Sequence, residues 1–156
     1  MPSRRADIQL TADEQREFLA DQLFGVLATV GPSGYPHQVT IGFAMDELDA
    51  VVMTSFAQAQ KVANVRRSPR ASFLVEQTAP YREIRGVLFR GPAVVVDDRE
   101  QVASWYYRIK DRSEILPVET DLPPIDDEKL LAKRVLVVLT VEHTVSWDHR
   151  KLGGVY

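Results

Sequence analysis

Residues 24–45, "FGVLATVGPSGYPHQVTIGFAM", decide the fold. The first seven residues form an apolar, β-branched run that stops at "GPSG", whose glycines and proline favour a tight turn. The chain then resumes as a second strand-like run, which ends at the turn "MDELD". Two such runs joined by a short turn predict an antiparallel hairpin, because a parallel pair needs a much longer connection.

The segments that follow extend this pattern. "AVVMTS" predicts a third strand, and the Ala-rich "AQAQKVANVRR" after it predicts a short helix that ends before Pro69. Two more strands are expected in "RASFLVEQ" and "YREIRGVLFRGPAVVVDD", where Gly86, Gly91 and Pro92 indicate a bulge or a barrel corner. "RVLVVLTVEHTVSW" predicts a single final strand.

The helices are few and lie between or outside the strands. Thr11 and Glu14 form a capping-box pattern that predicts a helix over residues 12–22. Acidic residues before "REQVASWYYRIKDR" predict a second peripheral helix, and a short one is expected around 126–133. Successive hairpins with appended helices predict an α+β, mainly β protein with a six-stranded antiparallel barrel.

Length and composition bound the class of protein. With 156 residues and no internal repeat, the chain is expected to form one domain over residues 1–156. It has no cysteine, which excludes disulfides and thiolate chemistry, and no apolar stretch long enough to span a membrane. The net charge of −3 argues against nucleic-acid binding. We expect a cytoplasmic protein with no membrane or nucleic-acid partner.

No catalytic motif is present in the sequence. The histidines at positions 37, 143 and 149 are too dispersed for a recognisable metal site, and there is no G-x-S-x-G, Walker lysine loop or G-x-G-x-x-G. We therefore predict no metal and no catalytic side chain. An enzyme of this composition would depend on a cofactor for its chemistry.

Lys61 is the candidate for an anion-binding residue. It stands in the first turn of the predicted helix, after a strand that ends in Thr54 and Ser55. Backbone amides, the helix dipole, two hydroxyls and one ammonium can converge there on a phosphate. The alternative is that Lys61, Arg66 and Arg67 form a solvated helix face.

The stretch "GVLATVGPSGYPHQVTIGFAMDELDAVVMTSFAQAQKVANVRRSPRASFLV", with its "T-S" and "K-x-x-N-x-x-x-x-P-R" elements, resembles a known superfamily. It is similar to the split-barrel flavin and deazaflavin oxidoreductases related to pyridoxamine 5′-phosphate oxidase. Within them it looks closest to the actinobacterial branch that uses coenzyme F420. The resemblance implies a six-stranded split barrel and a homodimer that binds F420, or alternatively FMN, at the subunit interface.

The resemblance also implies the residues of the site. The residues expected to line the cofactor ring lie on the second strand: Gln38, Val39, Thr40 and Ile41. Those expected beside the ribityl chain and phosphate are at the end of the third strand and in the helix that follows it: Thr54, Ser55, Gln60 and Lys61. Relatives that hold FMN often have an arginine where this chain has Gln60. Arg82, on a predicted strand, and Trp147 are expected to meet the cofactor of the partner subunit.

The implied activity is hydride transfer between the cofactor and a small conjugated or aromatic organic substrate. The ending "SWDHRKLGGVY" lacks the basic pattern of pyridoxine-phosphate binding, which argues against pyridoxamine phosphate oxidation. An FMN-dependent oxidase-like enzyme and a non-catalytic flavin- or haem-binding protein stay as alternatives. Two questions stay open. One is whether the proline-rich residues 116–124 form a lid or part of a dimer contact, and the other is whether Arg66 or Arg67 contacts a cofactor tail.

Overall fold

A computed structural model describes residues 5–77, 79–113 and 126–153. Its strands are β1 Phe24–Val30, β2 Pro36–Met45, β3 Val51–Phe56, β4 Arg70–Gln77, β5 Arg85–Val96, β6 Arg134–Leu139 and β7 His143–Asp148. Its helices are α1 Ala12–Ala20, α2 Gln60–Arg67, α3 Arg99–Ser113 and α4 Asp127–Leu131. Residues 114–125, which hold the proline-rich segment, lie outside the described residues.

The strands form one antiparallel sheet that closes on itself. Their order is β4-β1-β2-β3-β6-β5-β7, and β4 also pairs with β5. The first six strands of that order therefore make a closed barrel, and β7 is an extra strand on the side of β5. The predicted six-stranded antiparallel barrel with peripheral helices is confirmed.

The hairpin of β1 and β2 matches the prediction from its sequence. The strands pair from Phe24 opposite Gly42 to Val30 opposite Pro36. The turn is closed by a hydrogen bond from the Gly31 amide to the Tyr35 carbonyl oxygen (2.8 Å), and Gly34 adopts a positive φ of 84°. Glycine is favoured at such a position because it has no Cβ to clash with the backbone.

The barrel corner predicted in β5 is present at Gly91 and Pro92. The first part of β5 pairs with β4 and β7, and its last four residues, 93–96, pair with β6. At the corner the backbones approach closely, since a Cβ on Gly91 would lie 1.9 Å from the Thr140 carbonyl oxygen. Only glycine fits this approach.

The prediction of one long final strand is wrong. Residues 134–147 form two strands, β6 and β7, that are separated at residues 140–142. Both pair with β5 on either side of its corner, so the chain must bend where β5 bends. The bend is held by β5 carbonyls, which accept from the amides of Thr140 and Glu142. Apolar periodicity does not reveal a bend imposed by a neighbouring strand.

The core fills the barrel with large apolar side chains. Phe43 and Phe73, both fully buried, pack against each other with ring centroids 5.0 Å apart and ring planes tilted by 60°. Helix α1 begins with the predicted capping box and ends at Ala20, two residues before the predicted end, and it buries Phe18 and Leu19. In the described ranges, no helix is long and apolar enough to cross a membrane.

Gly91→Ala is expected to destabilise the barrel. The new methyl group would overlap the Thr140 carbonyl, so the free energy of unfolding should fall by about 3 kcal/mol. Urea unfolding followed by circular dichroism measures this change. Ser33→Ala, in the exposed β1–β2 turn, is the control. An unchanged unfolding midpoint for Gly91→Ala would contradict the close approach.

Candidate functional site

The end of β3 and the start of β6 form a corner that carries polar side chains. Phe56 pairs with Arg134, and Thr54 pairs with Leu136. The Arg134 side chain lies along this edge, where its Nη1 donates to Thr54 Oγ1 at 3.4 Å. Its guanidinium carbon lies 4.5 Å from the ring centroid of Phe56 and 5.4 Å from that of Tyr106. Arg134 is thus held by two aromatic rings and a hydroxyl.

A cleft of about 340 Å³ opens beside this corner. Its walls come from the edge of β2, the end of β3, the start of β6 and one face of α3. The lining residues are Phe24, Thr40, Ile41, Gly42, Thr54, Tyr106, Ile109, Lys110 and Arg134. The cleft therefore combines apolar surface, a hydroxyl and basic side chains, which suits a planar ligand with an anionic group.

Lys61 stands next to the cleft, in the first turn of α2 and half-buried. The pKa of its ammonium lies below the ordinary value, because burial removes it from water and because the positive charge of Arg134 acts on it. Among the described residues, neither Lys61 nor Arg134 forms an ion pair with a carboxylate. The corner therefore carries uncompensated positive charge.

Helix α4 fixes the α3 wall of the cleft through Asp127. Its carboxylate accepts from the Tyr106 hydroxyl at 2.8 Å and pairs with Lys110 Nζ at 2.7 Å. The hydrogen bond from Lys110, followed by that from Tyr106, holds the pKa of Asp127 below its usual range. Asp127 therefore stays ionised near neutral pH and keeps both side chains in place.

Asn64 anchors the helix that carries Lys61. It is fully buried, and its Nδ2 donates to Thr29 Oγ1 on β1 at 3.0 Å. Its Oδ1 accepts from Gln60 Nε2 at 2.8 Å and from Arg67 Nη2 at 3.2 Å. These bonds fix α2 against the barrel, and they explain the asparagine in the "K-x-x-N" element.

The structure brings four of the predicted residues to this corner. Thr40, Ile41 and Thr54 line the cleft, and Lys61 stands beside it. Ser55 is buried, on the other face of β3 from Thr54, and its hydroxyl donates to the carbonyl oxygen of Phe56 at 3.4 Å.

The remaining residues on β2 and α2 do not line the cleft. Gln38 is exposed farther along β2, and Val39 packs against the core. The side chain of Gln60 is exposed, with its amide turned towards Asn64. Arg66 and Arg67 are both exposed. The guanidinium of Arg67 donates to the Val30 carbonyl oxygen, so it is used within the chain.

Arg82 and Trp147 lie away from the cleft. Arg82 belongs to a single 3₁₀ turn, Tyr81–Glu83, and precedes β5, so its prediction as a strand residue is wrong. Pro80 begins this turn and delays the strand to Arg85. Trp147 packs its ring on Gly86, where a Cβ would lie 2.3 Å from Trp147 Cζ2. Both are near the start of β5, whereas β6 pairs with its other end.

The sequence reasoning missed three polar side chains of the cleft, Tyr106, Lys110 and Arg134, and the apolar Phe24 and Ile109. Tyr106 and Lys110 are four residues apart on α3, and this spacing places them on one helix face. Arg134 begins the apolar run "RVLVVL", where a charged residue is an ordinary strand start. Only the pairing of β6 with β3 reveals that it meets Thr54.

A larger cleft of about 700 Å³ lies on another part of the outer surface. It is lined largely by apolar atoms, together with Arg70, Arg90, Glu142 and His143, and it contains none of the ten predicted site residues. The smaller cleft is the better candidate despite its size, because it contains Thr40, Ile41 and Thr54. It is also lined by Arg134, whose charge acts on Lys61.

Asn64→Ala is expected to lower the free energy of unfolding by about 2 kcal/mol, because it leaves the buried Thr29 hydroxyl without its partner. Thr29→Val added to Asn64→Ala should recover part of the loss, since both polar partners are then removed. Chemical denaturation of the two single variants and the double variant measures the coupling. Strictly additive losses would contradict the anchoring role of this bond.

Comparisons with known proteins show the family of the chain. Residues 11–148 match the family model described as pyridoxamine 5′-phosphate oxidase. A conserved hypothetical protein from Mycobacterium tuberculosis superposes with a TM-score of 0.82 at 33% identity, over 99% of this chain and 94% of that chain. An F420 reductase superposes with a TM-score of 0.64 at 27% identity, over 83% of this chain and 94% of that one.

A curated relative is the 5a,11a-dehydrotetracycline/5a,11a-dehydrooxytetracycline reductase of Streptomyces rimosus. It is 33% identical over 82 residues, which cover 49% of this chain and 57% of the relative. The chain therefore matches little more than half the length of that reductase. The family match spans most of the chain, including the barrel strands and α2. The chain belongs to the pyridoxamine 5′-phosphate oxidase family of flavin- and F420-type oxidoreductases.

Proposed function

We propose that the protein is an oxidoreductase that binds F420 in the cleft beside Lys61 and transfers a hydride between this coenzyme and a small conjugated or aromatic compound. The observation that carries the proposal is the half-buried Lys61 ammonium, which has no carboxylate partner among the described residues. It adjoins a cleft lined by Thr40, Ile41 and Thr54. The 27% identity to an F420 reductase supports the choice of coenzyme.

The residues present fit a phosphate next to Lys61. Helix α2 begins after Ala59, which has no side-chain hydrogen bond to cap the first turn. The positive end of the helix dipole therefore faces the region of the ammonium without a side-chain cap. Thr54 adds a hydroxyl at the end of β3, where a ribityl chain or a phosphate oxygen can be bound. A phosphate would compensate the charge that no carboxylate compensates.

The chain's own role is to bind the coenzyme, to orient it against the substrate and to exclude water from both. When bound, the coenzyme supplies the hydride chemistry. Phe24, Ile41 and Ile109 offer apolar walls for a ring system, and Thr40 lies on the edge of β2 beside them. Fixed orientation of two reactants lowers the barrier without a side-chain nucleophile. The Streptomyces rimosus relative is named as a reductase of dehydrotetracyclines, which supports an organic acceptor as the substrate.

F420 is favoured over FMN by the surroundings of Gln60. The relatives that hold FMN often have an arginine at this position, whereas the Gln60 amide is turned to Asn64 at 2.8 Å. Helix α2 therefore offers the phosphate one cation, not two. The F420 reductase is the relative above 25% identity whose name specifies a coenzyme, and this supports the same choice.

We further propose that two copies of the chain pack their outer β faces together and share the site. An apolar row crosses four strands in register on this face: Val26, Leu74, Leu88 and Val145. Thr40 on β2 lies at one end of the row, opposite Val26. Trp147 on β7 lies at the other side of the face, about 19 Å away by four strand spacings.

Twofold symmetry would bring these edges together. In an isologous contact each residue of one copy meets the symmetry-related surface of the other, so the β7 edge of one copy can cover the β2 edge of its partner. Trp147 would then cover a coenzyme bound mainly by the other copy. This arrangement explains why Trp147 lies far from the cleft within one chain.

Lys61→Ala is expected to weaken F420 binding by about 10- to 100-fold with the fold retained, since one charge-assisted hydrogen bond is lost. Equilibrium titration of the purified protein with F420 and with FMN measures the effect and shows which coenzyme binds more tightly. Lys129→Ala, an exposed lysine of α4, is the control. Clearly tighter FMN binding would overturn the preference for F420, and unaltered affinity in Lys61→Ala would overturn the phosphate site.

Coenzyme binding is also expected to depend on pH, which the same titration measures when it is repeated from neutral pH to about pH 10. Only the protonated ammonium attracts the anion, so affinity is retained below the pKa of Lys61 and falls as the pH rises through it. This pKa is lower than that of an ordinary lysine, so the fall should begin at a correspondingly lower pH. Lys61→Ala should not show the lysine-linked fall.

Leu88→Glu is expected to convert a dimer into a monomer and to weaken coenzyme binding, because it buries a charge in the middle of the apolar row. Analytical ultracentrifugation measures the oligomeric state. Val94→Glu is a matched control: Val94 is exposed on the same strand but beyond the corner, where β5 pairs with β6. A monomeric wild-type chain, or a dimer in Leu88→Glu, would contradict the proposed interface.

Turnover is tested with the reduced coenzyme and a panel of conjugated acceptors. We expect the bound, reduced coenzyme to be reoxidised faster when a suitable acceptor is added. An unchanged reoxidation rate across a broad panel would indicate a carrier protein instead of an enzyme.

A further inference from the structure

We infer that Arg134, on strand β6, is the second cation of the phosphate site, at a different place from the arginine that FMN-binding relatives often carry at the position of Gln60. The inference rests on the proposed function, because it assigns a ligand of the coenzyme in the same site. It makes Arg134 a determinant of how strongly the protein prefers a phosphorylated coenzyme to its unphosphorylated core.

The position of Arg134 follows from the pairing of β6 with β3. Phe56 and Arg134 are direct partners, so the arginine starts β6 where β3 ends and where the chain turns towards α2. Its Nη1 reaches Thr54 Oγ1 at 3.4 Å, and the same hydroxyl lines the cleft. Lys61 approaches the same corner from α2, near enough for the charge of Arg134 to act on it. The Lys61 ammonium, the Arg134 guanidinium and the Thr54 hydroxyl are thus at the same corner of the barrel.

The guanidinium is held in place without an acid. Phe56 and Tyr106 lie against it at 4.5 and 5.4 Å, an arrangement that stabilises a planar cation by contact with aromatic rings. Tyr106 is itself fixed by Asp127 at 2.8 Å. Within the described residues the guanidinium donates through Nη1 to Thr54, and its buried Nε has no partner. The aromatic rings therefore position the charge without using the Nη donors, which stay available to a ligand.

The charge balance also indicates an anion. Burial disfavours the charged form of both side chains, and the two positive charges oppose each other. A pair of half-buried cations that forms no ion pair with a carboxylate of the described residues is unfavourable unless a ligand compensates it. A planar guanidinium presents parallel N–H donors that match two phosphate oxygens, whereas the Lys61 ammonium acts as a point charge. The two cations therefore have complementary roles.

The test compares each coenzyme with its unphosphorylated core. FMN is paired with riboflavin, and 8-hydroxy-5-deazariboflavin 5′-phosphate with 8-hydroxy-5-deazariboflavin, so that the members of each pair differ only in the phosphate. Each probe is titrated by fluorescence into the wild-type protein, Arg134→Gln, Arg134→Lys and Lys61→Ala. Arg16→Gln, an exposed arginine of α1 that pairs with Asp13, is the control. The effect of each substitution is measured on the pair in which the wild-type protein binds the phosphorylated member more tightly than the unphosphorylated one.

We expect Arg134→Gln to weaken binding of the phosphorylated probe by about 10- to 100-fold and to leave binding of the unphosphorylated core unchanged. Arg134→Lys should recover part of the lost preference, because it keeps the charge but not the paired donors. A merely structural role for Arg134 would weaken both members of the pair equally. Unchanged binding of the core also shows that the cleft of the variant is folded.

The two possible failures are distinct. If the wild-type protein prefers the phosphorylated probe and Lys61→Ala loses that preference while Arg134→Gln keeps it, the inference is wrong and the proposed function stands. Equal weakening of both probes in Arg134→Gln overturns the inference in the same way. If the wild-type protein prefers neither phosphorylated probe, the proposed function fails and the inference fails with it.

Discussion

Closure of the barrel by the pairing of β4 with β5 is the constraint on which the other features depend. Eight residue pairs join these strands, from Arg70 opposite Pro92 to Gln77 opposite Arg85. The corner at Gly91 and Pro92 lets residues 93–96 of β5 pair with β6, while the preceding part of β5 closes the barrel against β4. On its other side β6 pairs with β3, and this register places Arg134 opposite Phe56, where its guanidinium reaches Thr54. The polar corner of the site is therefore a consequence of how the barrel closes.

The uncompensated charge at this corner has a cost in stability that the surroundings offset. Aromatic contacts hold Arg134, and the buried network of Asn64 holds the helix that carries Lys61. Natural proteins depart from internal consistency mainly at functional sites, and a pair of unpaired cations is such a departure. By contrast, other lysines of the described residues, such as Lys151 with Glu14, have a carboxylate partner.

Sequence reasoning succeeded where the determinant is local. The turn after β1 follows from glycines and a proline, the start of α1 from its capping box, and the β5 corner from Gly91 and Pro92. It failed where a distant strand decides, as in the division of the last strand at residues 140–142. Arg134 and Tyr106 belong to the same class, because their meeting with Thr54 requires the closed barrel. The proposed role of Lys61 was accessible because the strand, the turn and the helix that position it are contiguous.

The location of Trp147 connects the closed barrel with the proposed dimer. Barrel closure leaves β7 outside, paired only with the first part of β5, so the face that it extends stays uncovered. This face has apolar side chains in register across four strands, and water would contact them in a single chain. A second copy would remove them from water and bring a tryptophan to the open side of the cleft. Burial of the apolar row and completion of the site would then be the same event, so loss of the dimer should also mean loss of the coenzyme.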